Sequence, residues 1–257
     1  MNKLDKIRRI ICTGIAFLTF GLTGPILTFI FIPLIGLMYR DPKLKARKVK
    51  YLVHKCFALF VWWMKTLGVC NFEYKNLERV KEDGGALVLA NHPCLIDVVV
   101  LISIYPRANC VVKKALWENP LTRGVVSSAG YIPSDGATNV LEACDAALKD
   151  GDTLIVFPEG TRTVPNEKVV IKRGASQVAL RLGCPIRLVK ISMNPTTLTK
   201  AERWYQVPHK KPVFSIEIAD RVYPETYTGY TKTIHSAAKA LTQDITNHLW
   251  GDAHGAT

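Results

Sequence analysis

The sequence predicts an α/β fold, a largely parallel sheet flanked by helices, preceded by an N-terminal membrane-associating helical segment. Three observations carry this. From about residue 70, short apolar runs alternate with stretches of helical length and spacing, the pattern of strand–helix–strand units. Ahead of them, Ile10 to Tyr39 contains no charged residue, more than the roughly 20 residues that cross a bilayer. Basic charge is concentrated beside that run. The 257-residue chain carries +13, yet residues 1–69 hold twelve Lys and Arg against only Asp5 and Asp41. The rest of the chain is close to neutral, so basicity belongs to the N-terminal end. The chain divides accordingly into membrane-anchoring helices at 1–68 and an α/β domain at 69–257.

A straight helix over the uncharged run would measure about 45 Å, against a hydrocarbon core of about 30 Å. Pro25 and Pro33, with Gly21, Gly24 and Gly36, offer places to bend. Both flanks are basic, Lys3 to Arg9 and Arg40 to Lys50, and the positive-inside rule keeps both on the cytoplasmic side. A kinked segment dipping into one leaflet satisfies this better than a clean span. The expected location is the cytoplasmic face of the inner or plasma membrane, with Lys43, Lys45, Arg47, Lys48 and Lys50 against anionic headgroups. Basic residues that flank an apolar segment argue against nucleic acid as a partner. Residues 51–67 are too apolar for one face of a soluble helix; Trp62 and Trp63 suit either a membrane interface or burial against the following domain.

In the second part, ALVLA (86–90), NCVVK (109–113), TLIVF (153–157), IRLVKI (186–191) and VFSIEIA (213–219) read as strands. Residues 95–104, 120–129, 138–149 and 175–182 read as the helices between them, the last stopped by Gly183, and 230–249 as a closing amphipathic helix. The seven cysteines are scattered and lack paired spacing, which suggests reduced thiols and neither a disulfide framework nor a metal site.

Ligands of open α/β sheets gather at the carboxyl ends of strands. NHPCLID (91–97) follows one such strand and PEGTR (158–162) another, so two polar motifs more than 60 residues apart can face one crevice. His92 and Asp97 point about 140° apart on a regular helix. They can meet when His92 lies in the turn and a helix starts near Pro93. Asp97 then accepts the Nδ1 proton of His92 and fixes its tautomer. The same spacing in a helix cap beside a polar loop carries no chemistry. Cys94 lies too close to His92 along the Pro93 turn to serve easily as a nucleophile, and Ser127 or Ser128 lacks a nucleophile elbow.

Together, NHPCLID and FPEGTR resemble the HxxxxD and FPEGTR signatures of the glycerolipid acyltransferases typified by 1-acylglycerol-3-phosphate acyltransferase. The resemblance spans about residues 85–191, including VVKKALWENP (111–120), IKRGASQVAL (171–180) and CPIRLV (184–189). It implies transfer of an acyl chain from an acyl-CoA or acyl carrier protein thioester to a lysophospholipid hydroxyl, without an acyl-enzyme. Nothing in the sequence suggests a metal or a tightly bound cofactor. His92 would be the general base, oriented by Asp97. Glu159, Gly160, Thr161 and Arg162 would shape the acceptor site, with Arg162 a bidentate phosphate ligand; a Glu159–Arg162 ion pair bracing the loop is the alternative. Lys172 and Arg173 precede a helix whose N-terminus attracts phosphate, and Lys113 is a further candidate. Solvated charges would read the same way at all three. Backbone N–H groups near Gly160 or just after Pro93 are candidate oxyanion donors.

One departure bears on the acceptor. Where the family carries a phosphate-contacting arginine, this chain has GYIPSDG (130–136), with Asp135 and Gly136 at that place. The segment 194–208 looks like bacterial family members of specialised lipid pathways such as aryl polyene synthesis. A lyso-amino-lipid or aryl polyene lipid acceptor, or a non-catalytic lipid-binding scaffold, are the competing readings.

Overall fold

The computed structural model describes residues 3–134, 140–164, 169, 171–229 and 233–254. Helix α1 (Lys3–Ile26), a π turn (Leu27–Phe31) and α2 (Ile32–Met38) form one long apolar helical unit, followed by α3 (Pro42–Thr66). Asp41 caps α3 by accepting from the Leu44 N–H at 2.9 Å, with Pro42 at its first position. The sheet contains β1 (Asn71–Lys75), β2 (Leu87–Ala90), β3 (Ala108–Val112), β4 (Ile132–Pro133), β5 (Thr153–Val156), β6 (Ile186–Asn194) and β7 (Val213–Val222). Between these lie α4 (Asp97–Ile104), α5 (Lys114–Glu118), α6 (Pro120–Ser128), α7 (Val140–Lys149) and α8 (Gly174–Leu182). The short α9 (Glu225–Thr228) and α10 (Ile234–His254) complete the chain.

The strand order is β1-β7-β6-β2-β5-β3-β4, and every pairing is parallel except the antiparallel β6–β7 ribbon. The alternation of side chains across a strand divides the core in two. Val88 and Ala90 of β2 face a cluster with Val53 and Met64 of α3 and Leu101 of α4, whereas Leu87 and Leu89 face Leu148 of α7, Ala179 of α8 and Leu241 of α10. With both faces covered, the central strands read as continuous apolar runs, which is why they are visible in the sequence.

The five strands and five helices expected from the sequence are present, with boundaries moved by a few residues. Two strands were not expected. β1 is the short, half-exposed edge sequence NFEYK, and β4 is two residues long.

The helical ladder of the N-terminal unit widens into a π turn at Leu27–Phe31. Pro33 withholds the N–H that the Phe29 carbonyl would accept, and the ladder widens so that the Ile32 N–H reaches Leu27 O. The unit is docked rather than free. Phe20 packs on Phe57 and Phe60 of α3, with ring centroids at 5.8 and 5.0 Å. Thr28 of the π turn lies so close to Gly124 of α6 that a Cβ there would stand 2.4 Å from its methyl carbon. The outward face keeps an apolar stripe at helical spacing, Leu4, Ile7, Ile11, Ile15, Leu18 and Leu22.

The basic cluster of α3 differs from the expectation of headgroup contact. Lys50 is buried and paired with Asp152 at the start of β5, where Asn109 also donates to the carboxylate at 3.3 Å. Lys43 and Arg47 reach Asp150 at 3.6 and 3.4 Å. These acids lie about a hundred residues downstream and recruit three of the five cations for docking α3 onto the sheet. A second buried ionic centre has Asp83 accepting from Arg187 Nε at 2.8 and 3.1 Å and from the Tyr105 hydroxyl at 3.0 Å.

Candidate active site

β2 and β5 are neighbours in parallel register, Leu87 beside Leu154 and Leu89 beside Val156, so NHPCLID and FPEGTR leave the sheet side by side at its carboxyl edge. Asn91 starts the turn as a substitute for backbone. Its Nδ2 donates to Ile191 O at 2.7 Å, and its Oδ1 accepts from the Ile191 N–H at 2.6 Å, which ties the turn to β6.

His92 follows. Its Nδ1 lies 2.8 Å from Asp97 Oδ2, and the same oxygen accepts from the Cys94 N–H at 2.8 Å. Asp97 is the first residue of α4, where the helix dipole favours negative charge. Its carboxyl is fully buried, and burial outweighs its hydrogen bonds to push it up to about 6. A carboxylate bonded to Nδ1–H leaves Nε2 of His92 as the basic nitrogen, so the bond sets the tautomer.

The other motif closes on the histidine from the far side. Phe157 lies flat on the imidazole, centroids 4.2 Å apart at 25°. The buried Glu159 accepts the His92 backbone N–H at 2.8 Å through Oε1 and the Thr163 hydroxyl at 2.7 Å through Oε2. The Thr163 N–H donates to His92 O at 2.7 Å. Burial also raises the Glu159 carboxyl above its usual range. Both oxygens of Glu159 are therefore engaged within the protein, and no Glu159–Arg162 ion pair occurs among the described residues.

Arg162 instead turns one terminal nitrogen, Nη1, to the carbonyls of Leu198 and Thr199 at 3.3 and 3.1 Å. Gly160 adopts φ +71°, and a Cβ there would stand 3.0 Å from the Lys172 ammonium, so the glycine keeps that lysine against the loop. Arg173 faces His235 at 3.4 Å, whereas Thr161 and Lys113 are exposed and bond to neither member of the dyad. Asp135 and Gly136 lie outside the described residues. Of the candidate oxyanion donors after Pro93, the Cys94 N–H is held by Asp97 and the Leu95 N–H by Leu198 O. The Gly160 N–H returns to Phe157 O.

Cys94 is buried, and burial with the neighbouring Asp97 carboxylate drives its thiol far above the ordinary range, which opposes a thiolate. The Ser127 hydroxyl donates to Arg123 O within α6. Among the described residues no cluster of three or more His, Cys, Asp or Glu could hold a metal. Beside the dyad, Leu95 and Ile96 line an apolar cavity of about 130 Å³ whose far wall is Phe17, Phe20 and Phe60. Sequence reasoning did not single out Asn91, Phe157 or Thr163, or the Leu198–Thr199 carbonyls as holders of Arg162. A faint signal for Thr163 was its hydroxyl four residues after Glu159.

Residues 71–192 match the family model described as Acyltransferase. The chain is 34% identical over 113 residues to a 1-acyl-sn-glycerol-3-phosphate acyltransferase of Helicobacter pylori, covering 40% of this chain and 48% of that protein. It is 30% identical over 158 residues to a putative 1-acyl-sn-glycerol-3-phosphate acyltransferase of Caenorhabditis elegans, covering 58% and 55%. The aligned part thus spans about half the length of these relatives. The crystal structure of a 1-acyl-sn-glycerophosphate acyltransferase, PlsC, from Thermotoga maritima superimposes with a TM-score of 0.72 over 98% of this chain and 99% of that one. At 20% identity, that likeness speaks for the fold. By its motifs, its matched segment and its relatives, the chain is similar to the acyltransferase family over residues 71–192.

Proposed function

We propose that the protein is a membrane-associated O-acyltransferase that moves an acyl chain from an acyl-CoA or acyl carrier protein thioester to a lysophospholipid hydroxyl. The preferred acceptor is 1-acylglycerol-3-phosphate, giving phosphatidate. The observation that carries this reading is the His92–Asp97 bond at 2.8 Å, at a strand end beside an apolar cavity.

His92 Nε2 takes the proton of the acceptor hydroxyl as its oxygen attacks the thioester carbonyl, and Asp97 stabilises the imidazolium that forms. The tetrahedral adduct collapses by breaking the C–S bond, and the proton held by His92 passes to the departing thiolate. No electrons change hands, and the dyad supplies all the proton transfer, so the reaction needs no cofactor and no metal. Arg162 uses one nitrogen on the carbonyls of Leu198 and Thr199, which leaves Nε and Nη2 for an acceptor phosphate, with the Lys172 ammonium close by. The apolar stripe of α1 sets the catalytic edge at a bilayer surface, where the lysophospholipid acceptor resides. A helix packed against α3 and α6 along its length fits a one-leaflet anchor better than a span, although its 36 residues are long and apolar enough to cross.

The second reading keeps the chemistry and changes the acceptor, because Asp135 and Gly136 replace the family arginine. A panel of lysophosphatidate, other lysophospholipids and lyso-amino-lipids, incubated with acyl-CoA and with acyl carrier protein donors and resolved by mass spectrometry, decides. Phosphatidate as the main product supports the first reading. Transfer confined to another acceptor supports the second, and lipid binding without turnover from either donor overturns both.

A further inference from the structure

We infer that Phe157 is a positioning residue for the base, holding the imidazole of His92 in the plane from which Nε2 can take a proton; the inference rests on the reaction proposed above. The bond from Nδ1 to Asp97 is a pivot, about which the ring can roll unless something bears on its face. The backbone of His92 is already fixed at both ends, its N–H by Glu159 and its carbonyl by the Thr163 N–H. The remaining freedom is in χ1 and the broad χ2 of the side chain. Phe157 removes it by covering one face of the ring.

The geometry separates this contact from ordinary aromatic packing. Every other ring pair among the described residues is tilted or edge-on, with centroids 5.0 to 6.4 Å apart. The His92–Phe157 pair is closer, at 4.2 Å, and flatter, at 25°. The cause lies in the sheet: β2 and β5 are adjacent, and His92 and Phe157 occupy the first turns beyond them. Parallel register thus presents the two rings face to face.

The stack also changes in value during the reaction. A neutral imidazole meets Phe157 as one aromatic ring meets another, whereas the imidazolium formed on proton transfer meets the negative face of the phenyl ring as a cation. An interaction that strengthens as the proton moves lowers the barrier rather than the binding energy. The front of the FPEGTR segment is therefore turned inward, Phe157 to the imidazole and Glu159 to the backbone, and Arg162 is left for the acceptor.

The test compares Phe157→Leu with Phe157→Tyr in purified full-length protein, measuring kcat and KM for the acceptor that the panel identifies. Loss of the face is expected to lower kcat roughly 10- to 100-fold, with acceptor KM within about twofold. The tyrosine variant, which keeps the ring, is expected to retain wild-type kcat. Phe157→Met, of similar bulk, gives the same reading should the leucine variant fail to fold. Wild-type kcat in the leucine or methionine variant would overturn the positioning role and leave the proposed reaction intact. A loss confined to KM would reassign Phe157 to substrate binding and overturn it equally.

Discussion

Replacing Asp97 by Asn separates what this residue gives to catalysis from what it costs the fold. Oδ2 accepts two hydrogen bonds, from His92 Nδ1–H and from the Cys94 N–H, whereas Oδ1 is buried without a partner. An amide oxygen placed at the Oδ2 position preserves both bonds but puts an NH2 group at the unpartnered Oδ1 position, at a cost of about 1–3 kcal/mol. The opposite orientation confronts the Cys94 N–H with a donor and favours the wrong histidine tautomer. Either way the negative charge that supports the imidazolium is gone, and activity should fall roughly 10³- to 10⁴-fold. Stability should move differently. Raising the carboxyl from 3.8 to about 6 makes the ionised form cost about 3 kcal/mol at neutral pH. Because the folded-state value lies above the unfolded one, the wild type has this stability in full below about pH 4 and loses it as pH rises to about 6. The asparagine variant has no such group, and its stability should lack that decline. Initial rates of acyl transfer, with thermal unfolding at pH 4.5 and 7.5, measure both effects. Activity within tenfold of wild type, or the same fall in stability between the two pH values, would refute the reasoning.

Four further outcomes follow from the same geometry. Because the charged Asp97 is the working form, kcat/KM should drop on acidification below about pH 6, read from a pH–rate profile. Asp83→Ala takes the buried carboxylate from Arg187, leaving it, among the described residues, only the exposed carboxylate of Glu82 at 3.1 Å, and should destabilise the fold by about 3–5 kcal/mol in denaturant titration. By contrast, Lys43→Ala, which breaks an exposed pair with Asp150, should leave the denaturant midpoint essentially unchanged in the same measurement. Gly124→Val forces a side chain into Thr28, at 2.4 Å, and should loosen the π turn from α6, seen as faster protease cleavage between residues 20 and 40.

The parts of the fold that were legible in the sequence are those where local pattern and tertiary role agree. ALVLA (86–90) and LIVF (154–157) are apolar throughout because β2 and β5 are covered on both faces, and the polar residues after each mark the carboxyl edge. The His92–Asp97 pairing was legible only as a possibility of the Pro93 turn, and the structure brings the two side chains together there. The roles of Asn91 and Phe157 were not legible, since each depends on which strand lies beside β2, and sequence spacing does not state strand order. Lys50 was placed among the headgroup-facing cations because its neighbours are basic; its partner Asp152 is 102 residues away, and only the docking of α3 reveals the pair. β1 escaped notice for an opposite reason, being a short edge strand whose exposed residues interrupt the apolar pattern.

In the proposed reaction His92 accepts the proton of a lipid hydroxyl during acyl transfer. The most direct measurement is the single-turnover rate of acyl transfer by His92→Ala beside wild type, each purified full-length with saturating thioester donor and lysophosphatidate. Phosphatidate is expected from the wild type, with the rate in the variant reduced at least about 10³-fold. Wild-type turnover in a folded protein without this imidazole would contradict it.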